Sequence, residues 1–330
     1  MSSLAPTLQA FFTDRLIKQR RSSPLTVAAY RDTFRLLLDF VYQNSRKPPF
    51  ELGVDDLGAP IIAAFLEHLE QGRGNSIRTR NARLAALHSF FRFASFRHPE
   101  HAALIQRVLA LPMKRYDRGL VTFLTRPEVD ALVAAPDCST WMGRRDHALL
   151  MVAVQAGLRV SELTKLDCQD VHLDAGAHVR CHGKGRKDRI TPLTTQCVVV
   201  LRAWMRERCG QSGDPLFPTS RGRPLSTDAI ALLVGKYAEI AERSCPSLRA
   251  KRVSPHVLRH SCAMQLLQAG VDTSVIALWL GHEQIQTTQI YLHADLSLKE
   301  RALARTAPPS VEAPVRYRPP DTLLAFLESL

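Results

Sequence analysis

Residues 176–193, GAHVRCHGKGRKDRITPL, interrupt an otherwise helical pattern. Gly183 and Gly185 flank Lys184 in a charged turn, and extended-type residues stand on both sides of it. That arrangement reads as a β-hairpin. Elsewhere the apolar residues recur at helical spacing. Val27, Tyr30, Phe34, Leu37, Leu38 and Val41 form one such stripe. Ser23 is its N-cap and Pro24 suits the first helical position. KPPF (residues 47–50) ends that helix. Residues 55–71 and 76–96 read as two more, the latter with a stripe of Leu84, Leu87 and Phe91. HALLMVAVQAG (147–157) is a buried helix closed by Gly157, and helices resume from Thr227. A fold is therefore required that seats one small antiparallel element among helices.

The chain of 330 residues suggests two domains. The basic stretch PMKRYDRGL (112–120) reads as a linker. Residues 1–115 form a helical domain and 116–306 a mixed one. Residues 307–330 are a Pro-rich linker, PPSVEAPVRYRPP, followed by a short docking helix, DTLLAFLESL. A hydrophobic content of 45% excludes a disordered chain. No apolar run reaches the ~20 residues that cross a bilayer, and no secretory pattern opens the chain, so a soluble cytoplasmic protein is expected. The seven cysteines include no CxxC pair, which fits reduced, mostly structural thiols.

A net charge of +13 and a pI near 9.8 point to a polyanionic partner, most often nucleic acid. Residues 1–115 carry 17 Lys and Arg against 9 Asp and Glu, and residues 116–306 carry 25 against 19. Both parts are thus basic. Arg78, Arg80 and Arg83 lie outside the apolar stripe of their helix, either as a solvated face or as phosphate contacts.

Four segments bear chemistry. In VSPHVLRHSCAMQLLQAG (253–270), Ser254 caps, Pro255 opens and Gly270 ends a helix. His256 then sits in the first turn, where free N–H groups favour an anion. Arg259 and His260 follow on the same side, and the guanidinium offers a fork for two phosphate oxygens. His256 and His260 are also spaced as metal ligands, but there is no HExxH and no third ligand at diagnostic spacing, so no metal is expected. In AGLRVSEL (156–163), Arg159 is a second phosphate clamp or simply an ion-pair partner of Glu162. In HGKGRKDR (182–189), Lys184 stands in a turn that can bring an ammonium into a groove, with Lys187 as its rival. In LWLGHEQIQTTQIYLH (278–293), Gly281 ends a helix, His282 follows, and Tyr291 lies nine residues further on. Each segment alone has an ordinary structural explanation.

Together they are more specific. The order Arg, Lys, His-x-x-Arg, His, Tyr, in AGLRVSEL, GKGRKDR, SPHVLRH, LGH and TTQIYLH, resembles the tyrosine recombinase (phage integrase) family, especially its Xer-like branch. The resemblance covers about residues 7–306. It implies a mainly α fold with a small antiparallel β-sheet, arranged as a two-domain C-shaped clamp on DNA. A helical core-binding domain would precede the catalytic domain. It also implies roles. Tyr291 would attack a scissile phosphate and form a 3′-phosphotyrosine, and Arg159 and Arg259 would clamp its oxygens. Lys184 would protonate the leaving 5′-oxygen. His256 and His282 would hydrogen-bond the phosphate, with His256 also placed to assist proton transfer, and Glu162 would orient the cluster. No cofactor is implied. The partners implied are double-stranded DNA and further recombinase subunits, as a homotetramer on two sites or a mixed tetramer. A mobile-element integrase is the leading expectation and a Xer-type dimer resolvase its close rival. A type IB topoisomerase and a catalytically idle DNA-binding subunit are the competing classes.

Overall fold

The protein was analysed as a computed structural model that describes residues 3–116, 121–183, 188–281 and 288–291. The chain divides into two compact units, Met1–Arg118 and Gly119–Leu330.

The first unit is helical. α1 (Leu4–Ala10) continues through π-type turns at Phe11–Gln19. The backbone enters the left-handed region at Arg21 (φ 45°), which ends that run. Ser23 then caps α2 (Pro24–Ser45), its hydroxyl accepting from the Thr26 N–H at 3.2 Å. α3 (Ala59–Glu67), α4 (Ile77–Ala94) and α5 (Ala102–Leu109) complete the unit. Phe11, Phe34 and Phe90 meet edge-on at its centre, with ring centroids 5.1–6.2 Å apart. Such pairs add about 1 kcal/mol each beyond the area they bury.

α4 corrects one expectation. Arg80 does not face solvent: it is 6% exposed. Its guanidinium donates to the Pro112 carbonyl at 2.9 Å and pairs with Glu70 at 3.4 Å. The reason is its register, because residues 80, 84, 87 and 91 lie on one face of a helix. Arg80 extends the apolar stripe and is held there by the carboxylate and carbonyl it meets. Arg78 is exposed and Arg83 half-buried.

In the second unit, Thr125 and Glu128 form a capping box at the start of α6 (Arg126–Ala134). Thr140 caps α7 (Trp141–Ala156), whose Ala148, Leu149, Leu150, Val152, Ala153, Val154 and Ala156 are all buried. A helix buried on nearly every side must be central, and α7 packs against α6, α9 (Thr195–Arg208) and α11 (Pro255–Gln268). Between them lie α8 (Val160–Leu163), the three strands and α10 (Thr227–Ala241). β1 (Val171–His172), β2 (His178–His182) and β3 (Asp188–Pro192) form one antiparallel sheet in that order. The expected hairpin is β2–β3; β1 adds a two-residue edge too short to leave a periodic signal. In the β2–β3 register Val179 faces Thr191 and Cys181 faces Arg189. Side chains two residues apart share a face, so Arg189 points inward beside the buried Val179, Cys181 and Thr191. α12 (Thr273–Leu280) packs against both β3 and α11. Residues 288–291 are again helical.

All seven cysteines are free, and Cys168, Cys181, Cys197 and Cys262 are buried. Burial pushes the Cys262 thiol up to about 12. Among the described residues no helix is long and apolar enough to cross a membrane.

Candidate active site

Two helix ends and one helix start build the site. α7 stops at Gly157 (φ 60°) and α12 at Gly281 (φ 64°), both left-handed caps that glycine adopts without strain. At Gly157 a side chain is excluded for a second reason: a Cβ there would stand 2.7 Å from Leu280 Cδ2 and 3.0 Å from Cys262 Sγ. The last carbonyls of a helix lack intrahelical donors and carry its negative dipole end. Arginine supplies both what they lack and the opposite charge.

Arg259 on α11 is 4% exposed. Its Nη1 donates to the Gly157 carbonyl at 2.7 Å and its Nη2 to the Leu280 carbonyl at 2.6 Å. Burial, with Arg159 adding to it, lowers its pKa to about 10, so it remains a cation at neutral pH. Arg159 is the N-cap residue of α8. Its Nη2 donates to the Gly281 carbonyl at 2.9 Å and its Nη1 to Glu162 Oε1 at 2.8 Å. The two arginines therefore meet at the end of α12, and Arg259 also holds the end of α7.

Glu162 organises this cluster. Its carboxylate accepts from the Arg159 backbone N–H at 2.8 Å and from both terminal nitrogens of Arg189 at 2.9 and 2.8 Å. Burial alone would raise its pKa, but hydrogen bonds from Arg189 and from the Arg159 backbone hold it at about 2. Arg189 also donates through Nε to the Trp279 carbonyl at 3.0 Å. One strand residue thus ties β3, α8 and the end of α12 together. Arg189 was not singled out in the sequence. Its signal was its place in a β-strand, two residues from Thr191 on the inward face, where a cation requires a buried anion. Three arginines against one carboxylate leave this cluster cationic among the described residues.

Ser254 caps α11, accepting from the Val257 N–H at 3.4 Å, and Pro255 opens it. His256 is exposed in the first turn, while Arg259 and His260 point inward. The His260 Nδ1 lies 3.0 Å from the hydroxyl of Tyr291, the rings meeting edge-on with centroids 5.6 Å apart. Tyr291 is 1% exposed, against Ala263, Met264, Leu267, Ile276 and Leu280. Burial pushes its pKa up to about 12, and Arg259 and Arg159 oppose that rise. Of the expected site, Arg159, Glu162, Arg259 and Tyr291 come together around the ends of α7 and α12, with His256 at the mouth of α11. Lys184, Lys187, His282 and the tail 307–330 lie outside the described residues. Arg78 and Arg83 belong to the first unit and form no part of this cluster. No group of three or more potential metal ligands occurs among the described residues.

Comparison with known proteins follows this geometry. Residues 122–297 match the phage integrase family, and residues 10–98 match the phage integrase N-terminal SAM-like domain. The y4rC protein of Sinorhizobium fredii, named provisionally as an integrase/recombinase, is 57% identical over 100% of this chain and 99% of its own. Tyrosine recombinase XerD of Pseudomonas putida is 32% identical over 86% of this chain and 91% of its own. Among solved structures, the XerH site-specific recombinase bound to palindromic difH substrate superposes with a TM-score of 0.68 at 22% identity, covering 87% of this chain and 81% of that one. The Tn1549 transposon integrase in complex with circular intermediate DNA gives 0.66 at 15% identity, covering 92% and 100%. These two share the fold. With its catalytic-type and SAM-like parts both matched, the chain belongs to the phage integrase family, the tyrosine recombinases.

Proposed function

We propose that this recombinase cuts and rejoins double-stranded DNA through a 3′-phosphotyrosine on Tyr291, as the integrase of a mobile element. The observation that carries the reading is the convergence of Arg159 and Arg259 on the ends of α7 and α12, in the same cluster as a buried tyrosine hydroxyl. Each guanidinium has five N–H donors in a fixed fork. The carbonyls and Glu162 fix its orientation through some of them, and the remainder are for phosphate oxygens. Negative charge grows on those oxygens in the transition state, so fixed cations stabilise it more than the ground state. In this reading Lys184, with Lys187 as the alternative, protonates the leaving 5′-oxygen. His256 and His282 hydrogen-bond the phosphate, and Glu162 orients Arg159. The covalent bond to tyrosine conserves the phosphodiester, so rejoining needs neither metal nor nucleotide.

Residues 1–115 would grip the DNA, with Arg78 and Arg83 as phosphate contacts, and residues 116–306 would cut it. Residues 307–330 would dock on a neighbouring subunit. The working assembly is a tetramer on two DNA sites in the cytoplasm, of identical chains or mixed with related recombinases. A second reading, a Xer-type resolvase of chromosome or plasmid dimers, is favoured by the identity to XerD. It shares all the chemistry and differs only in the DNA joined.

The test uses nicked suicide duplexes carrying candidate ends from the gene's own neighbourhood, with EDTA present. A covalent protein–DNA adduct on a denaturing gel is expected from the wild-type chain and not from Tyr291→Phe. An adduct that persists in Tyr291→Phe refutes the assignment of the nucleophile.

A further inference from the structure

We infer that His260 is a further catalytic residue, the proton acceptor for the Tyr291 hydroxyl as it attacks. The inference rests on the reading of Tyr291 as nucleophile. It is carried by the 3.0 Å contact between His260 Nδ1 and the Tyr291 hydroxyl, and by the edge-on packing that holds the two rings together. A general base must lie within hydrogen-bond reach of the proton it removes, and the His260 imidazole meets that condition. His256 stands one turn earlier on α11, exposed at the helix mouth where a phosphate would be met.

The proton balance is closed. With the hydroxyl donating, the imidazole carries its own proton on Nε2 and its Nδ1 lone pair faces the phenol. As the Tyr291 oxygen forms its bond to phosphorus, its O–H bond breaks and the proton passes to Nδ1. The P–O5′ bond breaks, and the 5′-oxygen leaves with a proton from the general acid. In rejoining, the 5′-hydroxyl attacks, and the departing phenolate takes its proton back from the imidazolium.

The surroundings keep His260 neutral, with its lone pair free of a proton. Among the described residues the groups around the pair are His256, Arg259 and Cys262 on α11, and Arg159 at the start of α8. Burial, then His256 and Arg259, lowers the His260 pKa to about 4, so the ring is neutral at neutral pH. Before DNA binds, the proton stays on the phenol, whose pKa lies near 12. A scissile phosphate placed against Arg259 and His256 offsets their part of the depression, which is smaller than that of burial. The imidazole's basicity then rises when the proton must move. The nucleophile is thus activated when the substrate's charge is in place.

The experiment measures the rate of adduct formation on a suicide duplex from pH 6.5 to 9.5 for the wild-type chain, His260→Ala and His260→Asn. Asparagine retains a hydrogen bond to the hydroxyl and cannot take up its proton. Both variants are expected to bind DNA normally and to melt as folded proteins. At pH 7 they should form adduct about 100-fold more slowly, the lower end for losing a general base. The deficit should narrow by up to about tenfold per pH unit as solvent ionises the phenol. It should persist on a 5′-bridging phosphorothiolate duplex, whose sulfur leaves without protonation. A deficit that is the same at every pH, full activity in His260→Asn, or rescue by the sulfur leaving group overturns the inference while leaving Tyr291 as nucleophile. Adduct from Tyr291→Phe, or none from the wild-type chain, fails the underlying reading instead and takes the inference with it.

Discussion

Replacing Glu162 by glutamine should remove about 3 kcal/mol from the second unit at neutral pH. The carboxylate is held at about 2, against an ordinary value of 4.5. At about 1.4 kcal/mol per pH unit, that difference is worth about 3 kcal/mol. The same size follows independently from breaking a buried ion pair by removing one partner, about 3–5 kcal/mol. The Glu162 side chain is 4% exposed and that of Arg189 11%, so solvent screening does not dilute it. Because the folded value lies below the unfolded one, this contribution is complete above about pH 4.5. It is lost as the pH falls towards 2. Wild type and Glu162→Gln should therefore differ fully at pH 7 and converge in acid. Tryptophan fluorescence during urea unfolding is the assay, since Trp141, Trp204 and Trp279, the chain's three tryptophans, all lie in the second unit. A difference below about 1 kcal/mol at pH 7, or a gap that stays constant down to pH 3, would refute the account of Glu162 as the organising anion.

Four further outcomes are expected. Arg80→Ala should destabilise the first unit by about 1–3 kcal/mol, because it removes the donor to the Pro112 carbonyl and leaves Glu70 with Lys114 alone of its two cationic partners. Arg78→Ala should leave melting unchanged and lower the salt dependence of DNA binding by about one phosphate. Calorimetry and salt-titrated binding separate the two. Gly157→Ala should cost about 2 kcal/mol or more, from left-handed strain and the clash with Leu280 and Cys262. It should also slow adduct formation by moving the carbonyl that Arg259 holds, which a rate measured well below the melting point will show. Tyr237→Phe should cost about 1–3 kcal/mol in the same fluorescence assay. Its hydroxyl donates to the buried Asp146 at 2.9 Å, and the carboxylate would keep only its contacts with Arg145.

Much of this architecture could be read directly from residues with local signatures. Ser23 with Pro24, Ser254 with Pro255, Gly157 and Gly281 all mark helix ends where the backbone itself demands a particular residue. The hairpin announced itself through its glycines. The arginines were harder, because a cation's direction depends on what another element brings to it. Arg80 was expected to face outward and is buried, since Glu70 and Pro112 arrive from other parts of the first unit. Its spacing to Leu84, Leu87 and Phe91 held the hint. Arg189 is one of four Lys and Arg residues between His182 and Ile190, and its composition alone did not distinguish it. Only the strand register turns it towards Glu162. For His260 the sequence showed an imidazole near a helix start. Its contact with Tyr291 joins residues 31 apart and depends on how the chain returns after α12.

The arginines' use of helix termini has a consequence for how this protein can vary. Gly157, Leu280 and Gly281 hold Arg159 and Arg259 through backbone carbonyls, so these acceptors are set by where the two helices end and by the left-handed glycines that end them. Chain length is what matters. Deleting one residue from α7 or α12 turns the terminal carbonyl by about 100° and shifts it by about 1.5 Å along the axis, away from its guanidinium. A size-conserving substitution within either helix should leave those carbonyls in place, whereas an insertion or deletion within it should move them. The count of residues between the two ends of α7 is, in that sense, as much a heritable part of the chemistry as the tyrosine.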